Sequence, residues 1–170
     1  GEGWRKVSYA QALDAARRIG QALLERGLGP DKPVAILSDN SVDHWLLALG
    51  AMHAGVPVAP ISPAYSLMSK DFAKLKAIFE LRRPGPVWTG DTQKFAPALA
   101  AVGAQATPIG KLLDKDGGAR VDEAFARAGP DTVAKILFTS GSTGVPKGVI
   151  NTQRMLVSNQ QMLAQVWPFL

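Results

Sequence analysis

Ile136-Leu-Phe-Thr-Ser-Gly-Ser-Thr-Gly-Val-Pro-Lys-Gly148 changes character at its fourth residue. Up to Phe138 it is an apolar run rich in strand formers that begins at Val133. Beyond it come two threonines, two serines and three glycines around a single lysine, Lys147. Short apolar runs closed by turn residues are buried strands, so Val133 to Thr139 is predicted as a core strand that opens into a loop. The loop has the composition of a phosphate cradle. Gly141, Gly144 and Gly148 allow backbone angles at which successive N–H groups turn inward to form an anion nest. Thr139, Ser140, Ser142 and Thr143 add hydroxyl donors, and Lys147 adds a mobile positive charge.

Two familiar phosphate motifs do not fit. A nucleotide-triphosphatase loop, G-x-x-x-x-G-K-[ST], is broken by Pro146 before the lysine and Gly148 after it. A dinucleotide fingerprint needs G-x-G-x-x-G, and Gly141 to Gly144 supplies only G-x-x-G. A plain Gly/Ser linker between strands has no need of a Pro-Lys-Gly ending. The ten positions Thr139 to Gly148 resemble, without a mismatch, the T-S-G-[ST]-T-G-x-P-K-G signature of the adenylate-forming superfamily. Acyl- and aryl-CoA ligases, peptide-synthetase adenylation domains and beetle luciferases make up that superfamily.

Downstream, Val149-Ile150 resumes as a strand and Thr152 caps a last helix, cut off at Pro168. Upstream, Val121 to Ala128 reads as a short helix, and residues 103 to 120 as irregular with a short strand at Ala106 to Ile109. A weaker helix spans Gln93 to Val102, and Val87-Trp88 is a short strand. Ser62 to Ser66 turns into a helix that carries Phe72, Leu75 and Phe79 on one stripe and ends before Pro84. Val56 to Ile61 and Pro33 to Leu37 read as buried strands. Between them, Val42 to Ala54 is a helix apolar nearly all round, which predicts cover on more than one side. At the front, Ser8 and Gln11 form a capping box; Tyr9, Leu13, Ala16, Gly20 and Leu23 form one face, and Gly27 ends the helix. Strands alternating with helices predict an α/β fold: a mostly parallel sheet flanked by helices on both faces. A loop at a strand's end is where such sheets place ligands.

Composition narrows the function classes. At 170 residues, 46% hydrophobic and 19% charged, the chain has the make-up of one globular domain rather than a disordered segment. Its longest uncharged apolar run, Trp45 to Met52, is far short of the ~20 residues that span a membrane. The net charge of +5 comes from scattered residues with no basic block and no interleaved aromatics, which argues against nucleic acid as a partner. Having no cysteine, it has neither disulfides nor thiol chemistry. These features favour a cytoplasmic protein. His44 and His53, the two histidines, stand at no metal-ligand spacing from an acid, and no metal site is expected. Asp114 and Asp116 read as a solvated loop, and Trp45, Trp88 and Trp167 as core or as surface left exposed by truncation. The non-methionine start and the apolar ending Trp167-Pro-Phe-Leu170 suggest a fragment.

The resemblance runs from Trp4 to the end. Val34 to Asp43 and Ala54 to Pro63 look like the strand–helix–strand unit of superfamily N-terminal domains. Ser62-Pro-Ala-Tyr-Ser-Leu67 and Val149-Ile-Asn-Thr-Gln-Arg-Met155 look most like bacterial feruloyl-CoA synthetases. It implies that residues 1–170 are an incomplete N-terminal, AMP-binding domain of a two-step ligase. A carboxylic acid would attack Mg-ATP to give an acyl-adenylate, and coenzyme A would then displace AMP; ATP, Mg2+ and coenzyme A are the implied cofactors. Thr139, Ser140, Gly141, Ser142, Thr143, Gly144 and Lys147 would hold the β- and γ-phosphates, with Lys147 the catalytic member. Gln153 stands where the family commonly has a histidine. A Tyr-Gly-x-Thr-Glu segment, a ribose-binding aspartate and a C-terminal lysine domain are absent, so the chain alone is expected to bind nucleotide weakly and not to catalyse. Its exposed apolar surface is expected to self-associate. Two other readings stay open: a piece of a peptide-synthetase or luciferase-like enzyme, or a short non-enzymatic protein that binds a nucleotide or a partner.

Overall fold

A computed structural model describes residues 4–82, 84–140 and 144–169. In chain order the elements are α1 (Tyr9–Glu25), β1 (Val34–Leu37), α2 (Val42–His53), β2 (Val58–Pro60), α3 (Pro63–Leu67), α4 (Ala73–Arg82) and β3 (Val87–Thr89). They continue with α5 (Ala96–Ala101), α6 (Gly110–Leu113), α7 (Ala119–Arg127), β4 (Val133–Ser140), β5 (Pro146–Thr152) and α8 (Gln153–Val166). The strands form one sheet in the order β3-β1-β2-β4-β5. The pairs β1–β2, β1–β3 and β2–β4 are parallel; β5 alone runs antiparallel, as the return arm of a hairpin from β4.

The all-apolar β1 is buried along its whole length because both faces of the sheet are covered. Val34 and Ile36 join one core with α1, α2, α6 and α7, whereas Ala35 and Leu37 join a second with α4 and α5. Trp88 of β3 belongs to the first core and Val87 to the second. The sheet thus divides two hydrophobic layers, as period-two side-chain alternation requires.

Helix α1 starts as its capping box predicts. The Gln11 N–H donates to Ser8 Oγ at 3.2 Å, and the Ser8 N–H donates to Gln11 Oε1 at 2.9 Å. Replacing Ser8 by alanine should cost about 1 kcal/mol, because one helix-end donor loses its partner; urea unfolding of Ser8→Ala measures it.

The buried face of α1 differs from the expected one. Ala16, Gly20 and Leu23 are buried, but Tyr9 and Leu13 face solvent, and Ala12, Ala15, Ile19 and Ala22 complete the inner stripe. The cause is the crossing with α2, where small residues let two backbones approach. A Cβ built on Gly50 would lie 2.6 Å from Ile19 Cβ, and one on Gly20 would lie 3.0 Å from the Gly50 carbonyl oxygen.

Other expectations are corrected. Helix α2 is fully covered on the side of Leu46, Leu47, Gly50 and Ala51 only, and Trp45 stands half exposed opposite them. The expected third helix is two helices, with Phe72 between them at φ +56°. There the Ser69 hydroxyl donates to Asp71 and accepts from the Phe72 N–H, folding the chain into a turn. Residues 106–109 form no strand: Ala106 makes a single bridge to Val87, and a helix follows at Gly110. The helix expected over Gln93 to Val102 is confined to Ala96–Ala101. Trp88 is core, whereas Trp45 and Trp167 are each about half exposed.

Candidate active site

Strand β4 lies between β2 and β5, so its carboxyl end opens where parallel sheets gather their ligands. Here the chain leaves Ser140 and returns at Pro146. Phe138 packs into the second core and anchors the strand, and the alternating Lys135, Leu137 and Thr139 point to the first face. Cross-strand register sets Thr139 opposite Lys147, Phe138 opposite Gly148, and Ser140 opposite Pro146. Directly opposed residues project on the same face of a sheet, so the Thr139 hydroxyl and the Lys147 ammonium leave the hairpin together. Both are exposed.

Pro146 is buried as the first residue of β5, where the hydrogen bond that its ring nitrogen cannot donate is least missed. Gly144 has φ +79°, the left-handed region in which glycine carries no steric penalty, and among the described residues a side chain there would meet nothing within 4 Å. Its requirement is conformational, not one of space. Gly141, Ser142 and Thr143, three of the expected phosphate ligands, lie outside the described residues. The structure therefore brings together Thr139, Lys147 and Gly144 with the backbone of Ser140.

Sequence reasoning missed a second feature. The chain leaves β1 toward α2 on the first face and leaves the adjacent β3 toward α5 on the second, so a crevice opens between their carboxyl ends. This cavity of about 230 Å3 is lined by Ser38, Asp39, Asn40, Asp91 and Lys94 among others. Lys94 Nζ lies 2.6 Å from Asp39 Oδ2. Ser38, buried at the end of β1, donates from Oγ to the Asp39 carbonyl at 2.8 Å and sits 3.1 Å from His44 Nδ1. No spacing rule links Lys94 to Asp39, which explains why the pair could not be read in advance.

His53 has a packed setting. Its ring stacks on Phe125 with centroids 4.3 Å apart and planes at 14°. Burial holds the imidazole below its ordinary pKa, opposed by the carboxylate of Asp122. The hydrogen-bonded Arg17 guanidinium, at 2.7 and 2.9 Å, holds Asp122 in turn below the usual carboxylate range. Because the folded state disfavours protonated His53, the unfolded chain binds that proton more readily. Stability is therefore intact above the ordinary value near 6.5 and falls as pH drops below it. Urea midpoints at pH 7.5 and 5.5 should show this fall, and His53→Leu should diminish it. Among the described residues, no group of three or more His, Cys, Asp or Glu side chains could hold a metal ion.

The AMP-binding enzyme family matches this chain over residues 2–169. The chain belongs to that family. Curated relatives include the phosphinothricin tripeptide synthetase PhsC of Streptomyces viridochromogenes, 33% identical over 156 residues, which cover 88% of this chain and 13% of that protein. The long-chain-fatty-acid–CoA ligase FadD13 of Mycobacterium tuberculosis is 30% identical over 167 residues, covering 90% of this chain and 31% of that protein. The chain thus spans less than a third of the length of either relative. Among solved structures, ATP-bound MatB from Rhodopseudomonas palustris superposes with a TM-score of 0.67 at 30% identity, covering 97% of this chain and 33% of MatB. This chain therefore carries part of the adenylate-forming ligase fold that acyl-CoA ligases and peptide synthetases share. The relatives named are not feruloyl-CoA synthetases, so the match establishes the family and not the acid.

Proposed function

We propose that this chain supplies the ATP phosphate-binding loop of an AMP-forming acid–CoA ligase, as part of an N-terminal domain whose remainder lies elsewhere in the complete enzyme. The observation that carries this reading is the run Thr139 to Gly148 at the carboxyl end of β4, with Thr139 and Lys147 paired across the hairpin. In the first half-reaction a carboxylate oxygen bonds to the α-phosphorus of ATP and the bond to the β-phosphate oxygen breaks. Pyrophosphate leaves with the electron pair, and charge builds on it. Fixed N–H and O–H donors and an ammonium at that point stabilise the transition state more than the bound substrate. In the second half-reaction the coenzyme A thiol bonds to the acyl carbon and AMP departs.

Magnesium would come with the nucleotide. The described residues offer no group of three or more acidic, histidine or cysteine side chains to hold it.

The acid in this reading is a hydroxycinnamate of the ferulate type, supported by Ser62 to Leu67 and Val149 to Met155. Ferulate-dependent exchange of pyrophosphate into ATP by the complete enzyme tests it. Exchange with ferulate and none with amino acids upholds the reading. Exchange with an amino acid alone would instead establish a peptide-synthetase activity, the second reading, which the 33% identity to PhsC favours. Exposed Val149, Ile150, Met155, Val157 and Met162 on β5 and α8 support self-association of the isolated chain.

A further inference from the structure

Among the described residues, Phe72 is the only one other than glycine with a positive φ, at +56°. A bulky side chain is disfavoured there and persists only where its surroundings hold it in place. Two sets of contacts do so. The Phe72 N–H donates to Ser69 Oγ at 3.0 Å, and Asp71 Oδ1 accepts from the Ser69 hydroxyl and from the Ala73 N–H, both at 3.1 Å. The ring itself packs against the second core. This turn fixes where α4 begins, because the Phe72 carbonyl accepts from the Lys76 N–H at 2.9 Å.

That starting point lies under the hairpin. Helix α4 packs against β5, yet its other end leads into β3, and these two strands are opposite edges of the sheet. Four strand spacings, roughly 19 Å, separate the edges, and 10 helical residues span about 15 Å. The amino end of α4, next to Phe72, is therefore the part that meets β5. On this face the hairpin presents Phe138, Pro146 and Gly148, since Thr139 and Lys147 occupy the other. Phe138 joins the same core as Phe72, Pro146 is buried, and Gly148 has no side chain to hold a helix off. Among the described strands β5 pairs with β4 alone. A two-stranded ribbon twists readily, so its contact with α4 limits how far the hairpin turns about β4.

We propose, on the phosphate-binding reading of the hairpin, that Phe72 is a positioning residue for Lys147. The strained turn seats α4 beneath β5, and that seat sets the angle at which the opposite face of the hairpin presents the Lys147 ammonium. Phe72 touches no substrate and acts through the hairpin alone. Glycine would take this backbone angle without strain, but it would leave the seat without its ring.

Phe72→Gly in the complete enzyme relieves the backbone and removes the ring, so a turn with a purely conformational role would keep its activity. The seat instead predicts that acid-dependent ATP–pyrophosphate exchange falls about ten- to a hundredfold, the loss that a small misplacement of a reacting group brings. In a Lys147→Ala background the same change should cost less than about threefold, because no ammonium is left to misplace. Ser69→Ala removes the hydroxyl that links Phe72 to Asp71 and leaves the ring in place. It should lower exchange about two- to fivefold, again only while Lys147 is present, and it carries the test if Phe72→Gly does not fold. Full exchange in a folded Phe72→Gly enzyme, full exchange in Ser69→Ala, or equal losses with and without Lys147 would each overturn the proposal. Unchanged exchange in Lys147→Ala alone would overturn the phosphate-binding reading instead, and the role of Phe72 with it.

Discussion

Lys147→Ala in the complete enzyme should slow acid-dependent ATP–pyrophosphate exchange by about a hundred- to a thousandfold, the loss seen when one preorganised charge-stabilising donor is removed. Lys147 is exposed on β5, opposite Thr139. Its substitution removes little packing, so urea stability should change by no more than about 0.5 kcal/mol. The pairing of a large kinetic loss with an unaltered fold separates a phosphate-binding role from a structural one. Lys147→Arg should recover only part of the rate, because a planar guanidinium on a different stem does not reproduce a compact ammonium. Unchanged exchange in Lys147→Ala would remove this residue from the mechanism.

The second large effect concerns the helix crossing that supports the sheet. Ile19→Ala empties a fully buried position between α1 and α2 and should cost about 2–4 kcal/mol. Gly50→Ala fails in the opposite sense: its new methyl would meet Ile19 Cβ and Cγ2 at 2.6 Å, which should cost about 1–3 kcal/mol. The double variant should be less destabilised than the sum of the two, by about 1 kcal/mol, since the added methyl partly fills the space that the isoleucine leaves. Strict additivity in urea unfolding would show that the two residues do not share this contact.

What the sequence disclosed depended on whether its signal was local. The Ser8–Gln11 box, the Gly27 helix end, the apolar β1 and the strand before Thr139 all rest on neighbours in the chain, and each stands where the sequence places it. The inner face of α1 was misread because its stripe is built of alanines and Gly20, whose burial is decided by how closely Gly50 lets α2 approach. Tyr9 and Leu13 looked more hydrophobic and lost their place to smaller residues. Phe72 misled for a related reason: it fits the stripe of Leu75 and Phe79, but the Ser69–Asp71 turn holds it outside the helix. At the candidate site, the glycine-rich run was legible because the motif is contiguous. The Asp39–Lys94 pair was not, because it is made by the order of strands in the sheet.

Titration of the 15N-labelled chain with inorganic pyrophosphate tests the phosphate-binding role of the hairpin most directly. Millimolar pyrophosphate should shift the amides between Thr139 and Gly148, with the response lost in Lys147→Ala. A chain whose hairpin amides do not move, or whose shifts centre instead on the crevice at Lys94, would contradict that role.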